Sequence, residues 1–480
     1  MLLPHQCRIF IAVLGAAVVL FDTQAFAQNN YKSGKELVTE NQDIAQKENG
    51  FFVPVPTDYN DPSKGFTEIY AHFRKPYDPA LPTYVLFTGG PGQSSHFPSG
   101  GKADMYGNLG YNFLLFDQRG IAFSRPETEQ LWKDSSFHSS ENNAKDLEEI
   151  RKHLKLEKIS VYGASYGTVP ATIYGHLYPE RTRSVILEGV VYDGFDKTPQ
   201  EDQFLARVIQ GYFNSLDFNV KEKLNRISND VIMPRMWFPG YVQAFLAFSG
   251  TQSLPVLSKM LAQAALVDDD KFRDEFNKAQ ADVNKSKTAN NEIHVPFKNL
   301  DEDLVNALLL AKEFGMARTD IKSQLVLENG KIVGKITGEM SMYVTEAKKL
   351  GLPVGAKSTY SADNYPLNVS TYYLNGNRDG ATIPPWLIKH WKNVPQANAY
   401  LLILKDGGHM PGGQILKFGM TPEQEVGPQA TEFFKGLFKS MLDAKPLSKD
   451  QIEAWNKMGS SKMAFTSKVG YVLKCETLFR

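Results

Sequence analysis

Three side chains of complementary chemistry stand far apart in this chain: Ser165, Asp379 and His409. A serine hydroxyl is a weak nucleophile until a base takes its proton, and an imidazole needs an acid to fix its tautomer and balance its developing charge. Together such residues would perform acyl transfer through a covalent intermediate. Ser165 is the centre of Gly163-Ala164-Ser165-Tyr166-Gly167. Small flanking residues let a strand turn sharply into a helix, holding the serine strained with its hydroxyl exposed. In a chain with 37 glycines the pentapeptide alone also reads as a plain surface turn.

The elements around the serine carry the reading further. Ile159-Ser160-Val161-Tyr162 reads as a strand before it, and Thr168 to Tyr178 as a helix after it. Upstream, the β-branched and aromatic run Thr83 to Thr88 ends in Gly89-Gly90-Pro91-Gly92, a loop of bare backbone. Acyl transfer needs two N–H donors about 3 Å from the developing oxyanion. Gly90 could supply one and Tyr166 the other; alone, the loop also reads as a Pro-Gly turn that reverses the chain. The next strand, Tyr111 to Phe116, enters Asp117-Gln118-Arg119-Gly120, where Asp117 and Arg119 are expected to pair and brace loops.

Downstream, Ser370 to Leu374 leads into Asn375-Gly376-Asn377-Arg378-Asp379-Gly380, and Ala399 to Leu404 leads into Lys405-Asp406-Gly407-Gly408-His409. Each polar residue stands just past a predicted strand, at the sheet edge where sites of open parallel sheets form. The order Ser165, Asp379, His409 is that of an α/β-hydrolase. Asp406 is a rival acid, but it lies in the same loop as His409, whereas Asp379 arrives on a separate strand and is preferred. Most of the nine histidines, such as His153 on a predicted helix, read as ordinary surface or packing residues.

Gly-Gly-Pro-Gly, Asp-Gln-Arg-Gly, Gly-x-Ser-x-Gly, the Asp379 loop closed by Ile383-Pro384-Pro385, and Gly-Gly-His together resemble the proline iminopeptidase and tripeptidyl aminopeptidase family of α/β-hydrolases. The resemblance covers about residues 50–195 and 365–445 and leaves the middle unmatched. It implies a serine exopeptidase acting on peptide N-termini, with Ser165 as nucleophile, His409 as base, Asp379 as its partner, and Gly90 and Tyr166 as oxyanion donors. The chain departs from the family pattern at Thr88, where members usually carry histidine, and at Ala122, where Asp-Gln-Arg-Gly is usually followed by x-Gly-x-Ser. Neither departure removes a proposed catalytic group.

After a polar start, Ile9 to Leu20 is apolar, and Ala25-Phe26-Ala27 offers a small-x-small cleavage site, so residues 1–27 read as a signal peptide. An apolar stretch of about twelve residues is too short to span a bilayer, and no integral membrane segment is expected. Of the two cysteines, Cys7 would leave with the signal, and Cys475 alone forms no internal disulfide. A large exported protein without disulfides suits a bacterial periplasm or the extracellular medium. Asn368-Val369-Ser370 would matter only in a eukaryotic secretory route.

The remaining chain of about 450 residues exceeds one such core, so a second unit is expected. The domain reading is a first core part over 28–195, a mainly helical cap over 196–364, a second core part over 365–445 and a tail over 446–480. Asp202 to Leu216, Tyr241 to Phe248, Leu254 to Leu266 and Leu300 to Phe314 carry apolar residues three and four apart, and Asn329-Gly330 between alternating runs predicts a hairpin. An insertion placed before the acid-bearing strand would cap the serine. Thr421, Pro422 and Glu423 predict the start of a closing helix running to about Leu442.

An exopeptidase needs a carboxylate for the substrate's free ammonium. Glu188, at the end of a strand, and Glu201 or Asp202, at the entrance to the cap, are candidates; each also reads as a solvated or loop-bracing acid. Charge is balanced at 53 basic and 53 acidic residues, so no nucleic-acid partner is expected. No His-x-x-x-His or paired-cysteine spacing points to a metal, no Gly-Lys-Ser/Thr follows Gly89–Gly92, and no cofactor is required. The expected partners are peptides with a free N-terminus. A secreted esterase or lactonase with the same triad is the alternative, and a catalytically silent binding protein the third class.

Overall fold

Ser33 caps the first helix, α1 (Gly34–Glu40), in a reciprocal box with Glu36, and a short α2 (Gln42–Glu48) follows. The chain then forms the hairpin β1 (Phe51–Pro56) and β2 (Phe66–Phe73), and the buried strands β3 (Thr83–Phe87) and β4 (Asn112–Phe116). Two helices, α3 (Glu129–Lys133) and α4 (Ser140–His153), lead to β5 (Ile159–Ala164), α5 (Thr168–Leu177) and β6 (Thr182–Glu188). Between β6 and the next strand of this sheet come α6 (Pro199–Ser215), α7 (Phe218–Ser228), α8 (Ile232–Ser249), α9 (Leu254–Ala264) and a separate hairpin, β7 (Ser323–Glu328) and β8 (Lys331–Ile336). The chain returns with β9 (Thr371–Gly376), α10 (Pro384–Lys392), β10 (Ala399–Leu404), α11 (Pro428–Leu442) and β11 (Phe465–Val469).

This computed structural model describes residues 31–96, 106–193, 199–228, 232–249, 254–266, 323–336, 358–395, 399–404, 407–409, 411–412, 428–449 and 465–469, with 268, 305, 308, 309, 312–314 and 451. The signal-like segment, Asp406, and the helix-start residues Thr421, Pro422 and Glu423 lie outside them, as does most of the helix expected over 300–314.

Among the described residues nine strands form one sheet in the order β1-β2-β4-β3-β5-β6-β9-β10-β11. It is parallel from β4 through β10 and antiparallel at both margins. Because both faces are covered, the central strands read as unbroken apolar runs rather than alternating ones. One face packs Tyr84, Tyr162, Ile186, Tyr372 and Leu402 with Phe434, Phe438 and Met441 of α11. On the opposite face Val85, Val161 and Leu187 join Leu147 of α4, Val169 and Ile173 of α5 and Trp386 of α10 in a cluster that continues into Phe204, Ile209 and Leu246 of the inserted helices.

The β7–β8 hairpin turns at Asn329 and Gly330, which both have positive φ, as a two-residue type I′ turn requires. The sequence reading also left elements out, helix α7 and strand β11 among them. Helix α7 was not foreseen, although its Val220, Leu224 and Ile227 share one buried face. The tail was assigned no strand, yet β11 pairs antiparallel with β10 from Tyr400↔Val469 to Leu404↔Phe465.

Candidate active site

Every sequence-selected loop reaches the same edge of the sheet, because parallel strands all release their C-terminal ends there. β5 ends at Ala164, a single turn of 3₁₀ helix spans Ser165–Gly167, and α5 begins at Thr168. Ser165 has φ 55°, the left-handed region that costs a residue with a Cβ about 1–2 kcal/mol. The turn stays this tight because Gly167 lies against β3: a Cβ there would stand 2.1 Å from the Phe87 carbonyl oxygen. The Gly89–Gly92 loop rests directly on the serine, since a Cβ on Gly89 would be 3.2 Å from Ser165 Cβ. The backbone of Gly90 and of Tyr166 therefore flanks the Ser165 turn.

His409 Nε2 stands 2.8 Å from Ser165 Oγ, and its Nδ1 stands 2.9 Å from Asp379 Oδ2. Three residues separated by 214 and 30 positions thus form one hydrogen-bonded line. Asp379 is fully buried, and its charge is met by the backbone N–H groups of Ala381 (2.8 Å) and Thr382 (2.9 Å), which donate to Oδ1. The Thr382 hydroxyl donates to Oδ2 at 2.7 Å and lies 3.1 Å from His409 Nδ1. Inserted helix α8 secures both loops: Gln243 Nε2 donates to the Gly380 carbonyl at 2.8 Å, and the His409 N–H to the Ala247 carbonyl.

The candidate ammonium acceptors are placed differently. Glu188 is fully buried on the α11 side of the sheet, receiving the Tyr162 hydroxyl and, at 2.6 Å, the Gly412 N–H. Its carboxylate braces the segment just past His409, so a substrate ammonium would have to displace these donors. Glu201 and Asp202 lie in α6, with side chains outside the described residues.

Asp117 and Arg119 do not pair with each other, as had been expected; each turns to a different partner. The Arg119 guanidinium grips Asp146 of α4 through Nε (2.8 Å) and Nη2 (2.5 Å), while Asp117 accepts from His96 Nε2 at 2.9 Å and from Ser95 N at 2.8 Å. His96 Nδ1 meets Glu48 at 2.9 Å. Burial pushes the His96 imidazole down, but the two carboxylates prevail and raise it to about 10. Burial likewise pushes Asp117 up, and the facing His96 charge carries it below the usual carboxylate range. Among the described residues, Glu48, His72 and His96 bring atoms of metal-ligand type within 4.8 Å of one another. Both ring nitrogens of His96 already face carboxylates, so Glu48, His96 and Asp117 form a charged hydrogen-bond network that holds helix α2 to the loop after β4.

Thr382, Gln243 and Ala247 were missed in the sequence. Thr382, three residues past Asp379, carried a signal, because a loop carboxylate often takes hydroxyl and N–H donors from the next turn. The α8 contacts left none, since they depend on how the insertion folds back.

Among known proteins, the family described as alpha/beta hydrolase fold matches residues 82–412. A probable proline iminopeptidase of Streptomyces coelicolor is 32% identical over 106 residues, covering 22% of this chain and 32% of its own. A tripeptidyl aminopeptidase of Streptomyces lividans is 27% identical over 152 residues, covering 23% of this chain and 28% of its own. The chain thus spans about a third or less of the length of these curated relatives. The crystal structure of proline iminopeptidase from Mycobacterium smegmatis aligns at 13% identity with a TM-score of 0.40, over 82% of this chain and 97% of that one. Since the family match takes in well over half of the 480 residues and the sheet follows the same plan, this chain belongs to the alpha/beta hydrolase fold family.

Proposed function

We propose that this protein is a secreted serine exopeptidase that releases N-terminal proline, other residues or short peptides. One observation carries the reading: the continuous line from Ser165 Oγ through His409 to Asp379 at hydrogen-bond distances. His409 takes the Ser165 proton as Oγ attacks the peptide carbonyl, and Asp379 holds the imidazole in the required tautomer. The backbone N–H groups of Gly90 and Tyr166 receive the oxyanion. The imidazolium then protonates the leaving amine. Water activated by His409 attacks the acyl-enzyme, returning the proton and releasing the acid.

The curated relatives are named for aminopeptidase activity, which supports a peptide substrate. Export to a bacterial periplasm or medium rests on the signal-like residues 1–27. Because Glu188 is enclosed, the acceptor for the substrate ammonium falls to Glu201 or Asp202. That enclosure is also the observation favouring the second reading, a secreted esterase or lactonase with the same catalytic residues.

Hydrolysis of prolyl, alanyl and tripeptidyl fluorogenic amides, each with free or acetylated N-terminus, beside a simple ester, tests the proposal. Cleavage that needs both Ser165 and a free amine is the expected result. Turnover of the ester alone would move the protein to the second reading, and activity retained in Ser165→Ala would end both.

A further inference from the structure

Glu313 belongs to the block inserted between β6 and β9, yet its carboxylate is buried in the core, against the N-terminus of α4. It accepts from the Ser140 N–H at 2.9 Å and from the Ser140 hydroxyl. Ser140 Oγ lies 3.0 Å from the phenol oxygen of Tyr166, and Asn143 Nδ2 donates to the same oxygen at 3.2 Å. Asn143 Nδ2 also donates to Gln118 Oε1 at 2.8 Å, and Gln118 Nε2 to Thr88 Oγ1 at 3.1 Å. The Thr88 hydroxyl in turn donates to the Gln93 carbonyl at 2.8 Å, closing across the Gly89–Gly92 loop.

A buried polar chain therefore runs from the insertion to both backbone segments that flank Ser165. At one point it fixes the phenol of Tyr166; at another it fixes Thr88 and Gln93, which bracket Gly90. Phe314, the next residue of the insertion, packs edge-on against the Tyr166 ring at 6.1 Å. Lys312, the residue before, donates to the Ser135 carbonyl at 2.8 Å, so three consecutive residues seat the insertion here. Both Glu313 oxygens are engaged by Ser140 donors, which sets its role apart from that of a substrate acceptor.

We propose that Glu313 is a positioning residue for the oxyanion hole: seating of the inserted segment, through Ser140, Tyr166, Asn143, Gln118 and Thr88, sets the spacing of the Gly90 and Tyr166 N–H groups. The inference rests on the serine-hydrolase reading above. A donor displaced by a fraction of an ångström stabilises the transition state less while leaving ground-state binding intact, so the signature is kcat without KM. It also makes the hole sensitive to whether the insertion is docked.

The test uses the full chain and 4-nitrophenyl acetate, a substrate too small to depend on specificity contacts with the insertion. Glu313→Gln and Tyr166→Phe should each lower kcat about 10- to 100-fold with KM little changed. They should weaken a boronic acid inhibitor, whose tetrahedral adduct occupies the hole, by a similar factor. In the double variant the two losses should fall well short of multiplying, because both interrupt one chain of contacts. Glu313→Asp should recover part of kcat. Tyr166→Phe keeps the ring packed on Phe314 and guards against a Glu313 variant that fails to fold. Unchanged kcat and boronate affinity in folded Glu313→Gln and Tyr166→Phe, or fully multiplicative losses, would overturn the inference while leaving Ser165 chemistry in place. Absence of Ser165-dependent turnover in the unmodified protein would overturn both.

Discussion

The backbone N–H of His409 donates to the carbonyl of Ala247, in the last turn of inserted helix α8. The loop carrying the imidazole is thus held by the insertion as well as by the sheet it leaves. Gln243, one turn earlier on the same helix, holds the acid loop through Gly380. Movement of α8 would reach both partners of Ser165 together.

The strain at Ser165 predicts that function and stability oppose each other at this position. Ser165→Gly relieves a left-handed backbone and should raise stability by about 1 kcal/mol, whereas Ser165→Ala keeps the strain and should leave it nearly unchanged. Both should lose several orders of magnitude in kcat. Thermal melts of the two variants beside the parent check this, and equal melting temperatures for Gly and Ala would count against stored strain.

Thr382 supplies the only side-chain hydroxyl on Asp379 among the described residues, and it also touches His409 Nδ1. Thr382→Val should lower kcat about tenfold, the size expected from one hydrogen bond to a buried charge, and Thr382→Ser should restore most of it. Steady-state kinetics of the pair decide the matter; equal rates in Val and Ser variants would show the hydroxyl to be dispensable.

Stability should peak between the titrations of two kinds of histidine. Burial pushes His72, His138 and His390 from 6.5 down to about 4, so each stays neutral in the fold. Between pH 6.5 and 4 the unfolded chain binds more protons, and stability falls as pH falls, by up to about 1.4 kcal/mol per pH unit for each. His96, raised to about 10, acts on the other side: its contribution is complete below pH 6.5, declines above it and is gone once pH passes about 10. Denaturant midpoints from pH 4.5 to 10 should trace this dome, and His96→Gln should flatten only the alkaline limb. A midpoint constant across that range would refute both assignments.

The sheet edge that gathers Ser165, Asp379 and His409 was legible because short motifs record local backbone demands. Gly-x-Ser-x-Gly marks a turn that brings Gly167 against Phe87, and strand-then-polar-loop patterns mark the ends of parallel strands at β9 and β10. Partner choice was less legible. Asp117 and Arg119 stand two apart and looked like a pair, yet Asp146 and His96, distant in sequence, take them instead. Such pairings are decided by which helices the sheet brings near. Ala122 belongs to the same class: its φ of 41° falls where the related pattern has glycine, so the departure noted in the sequence lies at a strained position. The strand β11 was hidden because Thr466, Ser467 and Lys468 offer no apolar alternation, and its partner lies some sixty residues away.

That last strand changes what the tail is for. In the sheet order β10 would otherwise be terminal, and its sequence, Ala399-Tyr400-Leu401-Leu402-Ile403-Leu404, is an uncharged apolar ribbon whose free N–H and C=O groups would invite pairing with another molecule. At the opposite margin β1 carries Pro54 and Pro56, which lack the N–H groups that strand addition needs. Phe465–Val469 does by coverage what the prolines do by subtraction. Residues without a part in the chemistry at Ser165 thereby help keep concentrated protein from self-associating edge to edge.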